Sequence, residues 1–188
     1  QLDVPNNESH TSMSNAKFPS DLADSMLSQF DSDRHAMYRL ISRLMEGNAF
    51  TRYKPNQKPK SRYVWCSMLL DSIMYSLDKE HKEATKPRGH LPTMEIQQVV
   101  KGGVPNILDQ HFSNKQDRTK MQNMAFSIVT PDATLHLSCK TEKDRDDWVN
   151  GLLFIMWMLR NNDDGKVEEF YYWYCNRQKV SRQSMVFN

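Results

Sequence analysis

Apolar residues follow two rhythms along this chain, and the rhythm changes at Gly47. After Pro19, Leu22, Met26 and Phe30 recur at helical spacing, and then Met37, Leu40, Ile41 and Leu44 do the same. Ser20 reads as an N-cap for the first stretch, Asp31-Ser32-Asp33 as a break with a new cap, and Gly47 as a C-terminal stop. Beyond Gly47 the texture is that of short strands: residues 49–54, 62–66, 72–76, 93–100, 124–130 and 134–139. Polar loops at 77–90 and 101–123 interrupt them. Phe126 and Ile128 alternate with polar neighbours, as do Leu135 and Leu137, so that hairpin buries one face.

The clearest helix follows that hairpin. Thr141 caps it with Asp144 three residues on, acids fill the first turn, and Trp148, Leu152, Ile155 and Leu159 form one apolar stripe. Residues 161–165 end it. The tail, 166–188, carries an aromatic cluster from Phe170 to Tyr174 and then basic residues, and its pattern selects no single state. The expected division is a flexible lead-in at 1–18, a helical extension at 19–46, a β-rich domain at 47–160 and a C-terminal extension at 161–188.

Composition narrows function mainly by exclusion. A net charge of +2 is too small for nucleic-acid binding, so any electrostatic role depends on where the charges sit. Cys66, Cys139 and Cys175 are odd in number, form no CxxC pair and lie in apolar stretches, the pattern of buried thiols in a reducing compartment. No apolar run reaches the ~18 residues of a membrane span. The six histidines show no metal-ligand spacing, and there is no glycine-rich phosphate loop. Asp144, Asp146 and Asp147 read as partners of a helix dipole rather than catalytic carboxylates. Asp31 to Asp33 opens like a calcium loop, but Ala36 stands where glycine is needed and Ser42 where glutamate is. The expectation is a protein without catalytic residues, metal or cofactor.

Charge placement is the informative feature. Between Gly47 and Leu70 stand five basic residues and no acidic one. Alternate residues of a strand share a face, so Arg52 and Lys54 point together, as do Lys60 and Arg62.

Several segments resemble the pleckstrin homology (PH) family, in particular its phospholipase-C-type branch. FTRYK, PNQKPK and SRYVWC are similar to that family's first hairpin, and MEIQQVVKG to its fourth strand and following turn. AFSIVTPDATLHLSCKTEKDRDDWVNGLLFIM resembles its closing strands and helix, with Trp148 in the place of the family's tryptophan. The resemblance covers about residues 47–160. It implies a mainly β fold, an antiparallel barrel or sandwich of about seven strands capped by a C-terminal helix, here with an N-terminal helical extension. It also implies a phosphate-binding set of Arg52, Lys54, Lys58, Lys60 and Arg62, with Lys86 from the next loop. Lys82, Lys86 and Arg88 lie among Glu80 and Glu83, and as a second basic wall that loop reads more simply as solvated.

The implied function is docking on an anionic phospholipid membrane, through a phosphatidic acid or phosphoinositide headgroup, on a cytosolic membrane face. The helical stretch before the barrel is similar to that of an acylated subgroup in apicomplexan parasites, which senses phosphatidic acid on secretory organelles during regulated secretion. The chain opens with Gln1, so an acylation site ahead of it would not be visible. Each basic residue near an anionic surface contributes about 1 kcal/mol, so five supply at most ~5 kcal/mol and a second attachment is required. The stiff, short loop holding Pro55 and Pro59 leaves little room to wrap a polyphosphorylated inositol ring. The competing reading is a protein-interaction scaffold, with a partner held by the N-terminal helix or the C-terminal tail.

Overall fold

The computed structural model describes residues 32–80, 87–102, 105–161 and 164–186, with positions 21, 24, 25 and 28 ahead of them. Leu22, Met26 and Phe30 of the first expected helical face lie outside the described residues.

Helix α1 (Arg34–Glu46) begins where Asp33 accepts a hydrogen bond from the Ala36 amide, and stops at Gly47, whose φ is 85°. Both signals are local, and both were readable in the sequence. Seven antiparallel strands follow: β1 (Asn48–Lys54), β2 (Gln57–Cys66), β3 (Ser72–Ser76), β4 (Gly89–Pro92), β5 (Gln98–Lys101), β6 (Ala125–Val129) and β7 (Thr134–Ser138). They form one sheet in the order β4-β3-β2-β1-β7-β6-β5. Its two edges, β4 and β5, are not paired with each other, so the shell stays open rather than closing into a continuous hydrogen-bonded barrel.

Three expectations change here. Residues 93–100 are not one strand: Thr93–Glu95 form a 3-10 turn, and β5 starts only at Gln98. The reason is topological, because this link must carry the chain from one edge of the sheet to the other. The Thr93 amide bonds to the Asp71 carbonyl and Ile96 is buried, which mimics strand alternation. The end of the 77–90 loop supplies β4, whose Gly and Pro residues conceal an edge strand. The 101–123 loop holds two helices, α2 (Pro105–Asp109) and α3 (Lys115–Met124), the second polar enough to bury no residue.

Helix α4 (Glu142–Arg160) fills the open side of the shell. The Thr141 hydroxyl accepts from the Asp144 amide and donates to the Asp144 carboxylate, which fixes its first turn. Trp148 packs edge-on against Phe50 at 4.8 Å, seating the helix on β1. Val149, Phe154, Met156 and Trp157 are buried along with Trp148, Leu152 and Ile155 of the expected stripe, while Leu159 is half-buried, because α4 has apolar partners on more than one side. One of them is α1, and the other is α5 (Asp164–Val186), the helix formed by the tail. Phe170 is fully buried, 5.5 Å from the Tyr38 ring, so the tail aromatics pack onto the core rather than standing free. Tyr172 is the exposed exception. Among the described residues no helix is long and apolar enough to cross a membrane.

Candidate functional site

The basic residues of the first hairpin meet in a cleft at one end of the sheet. A two-residue turn, Pro55-Asn56, joins β1 to β2, with Asn56 at φ 55°, a conformation that asparagine tolerates. Arg52 lies opposite Lys60, while Lys54 lies opposite Gln57. Lys58 and Pro59 therefore face Tyr53 together, which places a bulge in β2. The bulge accommodates Pro59, which has no N–H to give to a ladder.

Arg52, Lys54, Lys58, Lys60 and Arg62 all line one cleft of about 330 Å³. Lys86 lies outside the described residues. The cleft also contains three residues not assigned to it from sequence: Gln57, Tyr75 and Arg88. Arg88 had read as part of a solvated loop. It reaches the opposite wall because its amide bonds to the Tyr75 carbonyl and Gly89 pairs with Tyr75. Tyr75 lies under the Arg52 guanidinium, 4.6 Å from ring centroid to charge centre. Gly89 makes room for that ring, since a Cβ there would sit 2.2 Å from the Tyr75 hydroxyl oxygen. A longer β2 and a second strand pair were needed to see this, and only Arg88's position in a basic loop hinted at it.

The electrostatics are unusual for a folded surface. Arg62 is only 8% exposed, and its Nη1 donates to the Ser61 carbonyl at 2.6 Å. The Nε atoms of Arg52 and Arg62 are buried without a hydrogen-bond partner. Burial, then the neighbouring Arg88 and Arg52 charges, pull the Arg62 pKa below its ordinary value. Among the described residues no carboxylate pairs with any of the six cations in the cleft. Acids elsewhere are engaged: Asp147 with Arg43 and Lys143, and Asp146 with Arg145 and Lys101. A concave site lined by three arginines and three lysines fits an anion with several acceptor oxygens, such as a phosphate.

Other clusters offer less. Ser127 Oγ and His136 Nδ1 lie 2.8 Å apart, but the adjoining cavity is about 10 Å³, too small for a substrate. Cys66 and Cys139 are buried, with burial pushing each thiol up to about 12. Cys175 is exposed, against expectation, because it lies on the outward side of α5. Among the described residues no group of three or more His, Cys, Asp or Glu is placed to hold a metal ion.

The pleckstrin homology domain family model matches residues 39–156, more than half of the chain. No curated protein matches the sequence significantly. Among solved structures, the inner membrane complex sub-compartment protein 1 of Toxoplasma gondii is 17% identical, with a TM-score of 0.45 over 65% of this chain and 92% of its own. The PH domain of TgAPH is 13% identical, with a TM-score of 0.44 over 74% of this chain and 98% of its own. The PH domain of human TBC1 domain family member 2 is 18% identical, with a TM-score of 0.42 over 61% and 82%.

Proposed function

The chain belongs to the pleckstrin homology domain family, and from that premise we propose that it is a membrane-docking module whose β1–β2 cleft binds the phosphate of an anionic phospholipid. Domains of this family are generally non-catalytic and commonly bind phosphoinositide membranes or proteins. The observation that carries the proposal is the convergence of six cations, Arg62 among them only 8% exposed, on one cleft where among the described residues no carboxylate pairs with them. Burying a cation without a partner is costly, and an anionic ligand supplies the missing partner. Arg52, Lys54, Lys58, Lys60 and Arg62 come to the cleft from the β1–β2 hairpin, and Tyr75 and Arg88 from β3 and the residue just before β4. Leu77, 42% exposed just after β3 at the same end, supplies an apolar contact beside the headgroup. Phosphatidic acid is the favoured headgroup, because the two-residue β1–β2 turn provides no loop to enclose an inositol ring. Docking at a secretory-organelle surface, with an acyl chain as the second attachment, follows as the cellular setting.

Liposome co-sedimentation with neutral vesicles, and with vesicles containing phosphatidic acid or a phosphoinositide, tests this directly. Lys60→Glu with Arg62→Glu is expected to abolish pelleting while the far-UV spectrum stays native. Equal pelleting by the wild type and this double variant would dispose of the site.

One observation favours a second reading, a protein scaffold. Met68 and Leu69 are 66% and 70% exposed on the turn after β2, with Met94 beside them through the Thr93 amide bond to Asp71. They lie at the end of the sheet opposite the cleft, where a partner could bind without competing for lipid.

A further inference from the structure

The insertion between β5 and β6 is held against the back of the basic hairpin. Tyr53, on the face of β1 opposite the cleft, is buried with Ile107, Leu108 and Ala125. Its ring lies 5.3 Å from His111 and 6.2 Å from Phe112. Two polar contacts then reach the hairpin tip. The Asn56 amide donates to the Gln110 side-chain carbonyl at 3.3 Å. His111 Nε2 lies 3.3 Å from the Lys54 carbonyl, which can only accept, so the ring donates. Gln110 and His111 follow α2 directly, and the His111 and Phe112 amides bond back to the Leu108 carbonyl, so the arm is short and braced.

We propose that residues 107–112 act as a latch that withholds the β1–β2 tip from the ligand, so that the cleft reads the charge of one phosphomonoester and not the stereochemistry of an inositol ring. This rests on the cleft being a headgroup site. The latch contacts the hairpin on the face opposite the cleft, so it holds the tip from behind instead of closing over the ligand. It also consumes the Asn56 N–H, the turn amide that a phosphate at the tip would otherwise accept from. With that amide engaged, binding falls mainly to the side chains. Arg62 is fixed by burial and Arg52 by its contact with the Tyr75 ring, and together they orient one phosphate, whereas Lys54, Lys58 and Lys60 are exposed point charges on flexible stems. Telling mirror-image polyphosphates apart needs several fixed donors, and the cleft has them around one phosphate only.

Gln110 and His111 are positioning residues, and chirality is the readout that a merely structural role would not move. The 188-residue protein is bound to phosphatidic acid vesicles and displaced with D-myo-inositol trisphosphate or with its L enantiomer. The wild type is expected to respond to the two within about twofold. Gln110→Ala with His111→Ala frees the tip and should discriminate about tenfold, the effect of one added charge-assisted hydrogen bond. Gln110→Glu keeps an acceptor for Asn56 and should remain as indifferent as the wild type. Clear discrimination by the wild type, or continued indifference in the double alanine variant with a native melting profile, overturns the latch. If the alanine variant does not fold, the wild-type enantiomer comparison decides alone. Failure of the wild type to bind any anionic vesicle is a different result, and it overturns the lipid reading beneath the latch.

Discussion

Arg62 shows at single-residue scale how folding and binding pull against each other. Its stem crosses from β2 into the cleft, its Nη1 is satisfied by Ser61, and its Nε has no partner. A buried cation with incomplete hydrogen bonding destabilises the free protein, and a ligand phosphate relieves it. Arg62→Met keeps much of the stem and removes the charge. It is expected to stabilise the domain by about 1 kcal/mol, a rise in Tm of about 2–4 °C for a chain of this size. Phosphatidic acid binding should weaken at least ~10-fold in the same variant, from the loss of a charge-assisted hydrogen bond. Thermal melts followed by circular dichroism, paired with co-sedimentation, check both halves. Arg62 was legible as a phosphate ligand from the alternation of RYVWC, but its burial and its unpaired Nε came only from the register with β1 and from Arg88 across the cleft.

At the scale of elements, two glycines set how the helices meet the sheet, and they should not be equally sensitive. Gly47 ends α1 at positive φ, and a Cβ there would lie 2.7 Å from the Val64 carbonyl and 2.8 Å from Trp65 Cβ. Neither neighbour can move without disturbing β2. Gly47→Ala should therefore cost about 3 kcal/mol or more, combining backbone strain with overpacking. Gly151 lies where α4 crosses α1, and its Cβ would meet the Leu44 methyls at 2.8 and 3.0 Å. Those are the ends of a side chain that can rotate, so Gly151→Ala should cost only about 1–2 kcal/mol. Urea unfolding of both variants gives the order, and a reversed order would mean that α1 is held more rigidly than the contacts imply. Sequence gave Gly47 a role as a stop signal. Gly151 carries no such local signal, because its partner Leu44 is 107 positions away.

Across the whole molecule, charge and burial are separated in space. Six cations crowd one end of the sheet with no paired carboxylate among the described residues, while the core is held by apolar contacts among the sheet, α1, α4 and α5. Salt should act on the first and spare the second. Raising ionic strength from about 0.1 M to about 1 M shortens the screening length from ~10 Å to ~3 Å. Vesicle binding through the cleft is expected to fall at least tenfold, with the Tm nearly unchanged. Binding of a partner through Met68, Leu69 and Met94 would survive the same salt, which separates the two functional readings in one titration. For the chain as a unit, we propose that α1 and α5 belong to the same cooperative structure as the barrel, because Tyr38, Phe170 and Trp173 share its apolar cluster.

What the sequence determined by itself was whatever depends on near neighbours along the chain. The caps at Asp33 and Thr141, the stop at Gly47, the strand at Ser72–Ser76 and the amphipathic helix with Trp148 all follow from spacings of a few residues. The basic hairpin was legible for the same reason, since β1 and β2 are adjacent in sequence as well as in space. Tertiary structure decided the rest. Arg88 entered the cleft through strand pairing with β3, residues 93–97 turned because they join opposite edges of the sheet, and the polar segment 105–124 formed two helices, the first of which packed with the residues after it against Tyr53. The aromatic tail became a helix because Phe170 found Tyr38. Such contacts join residues far apart in the chain, and their energy comes from surfaces that exist only once the sheet has formed.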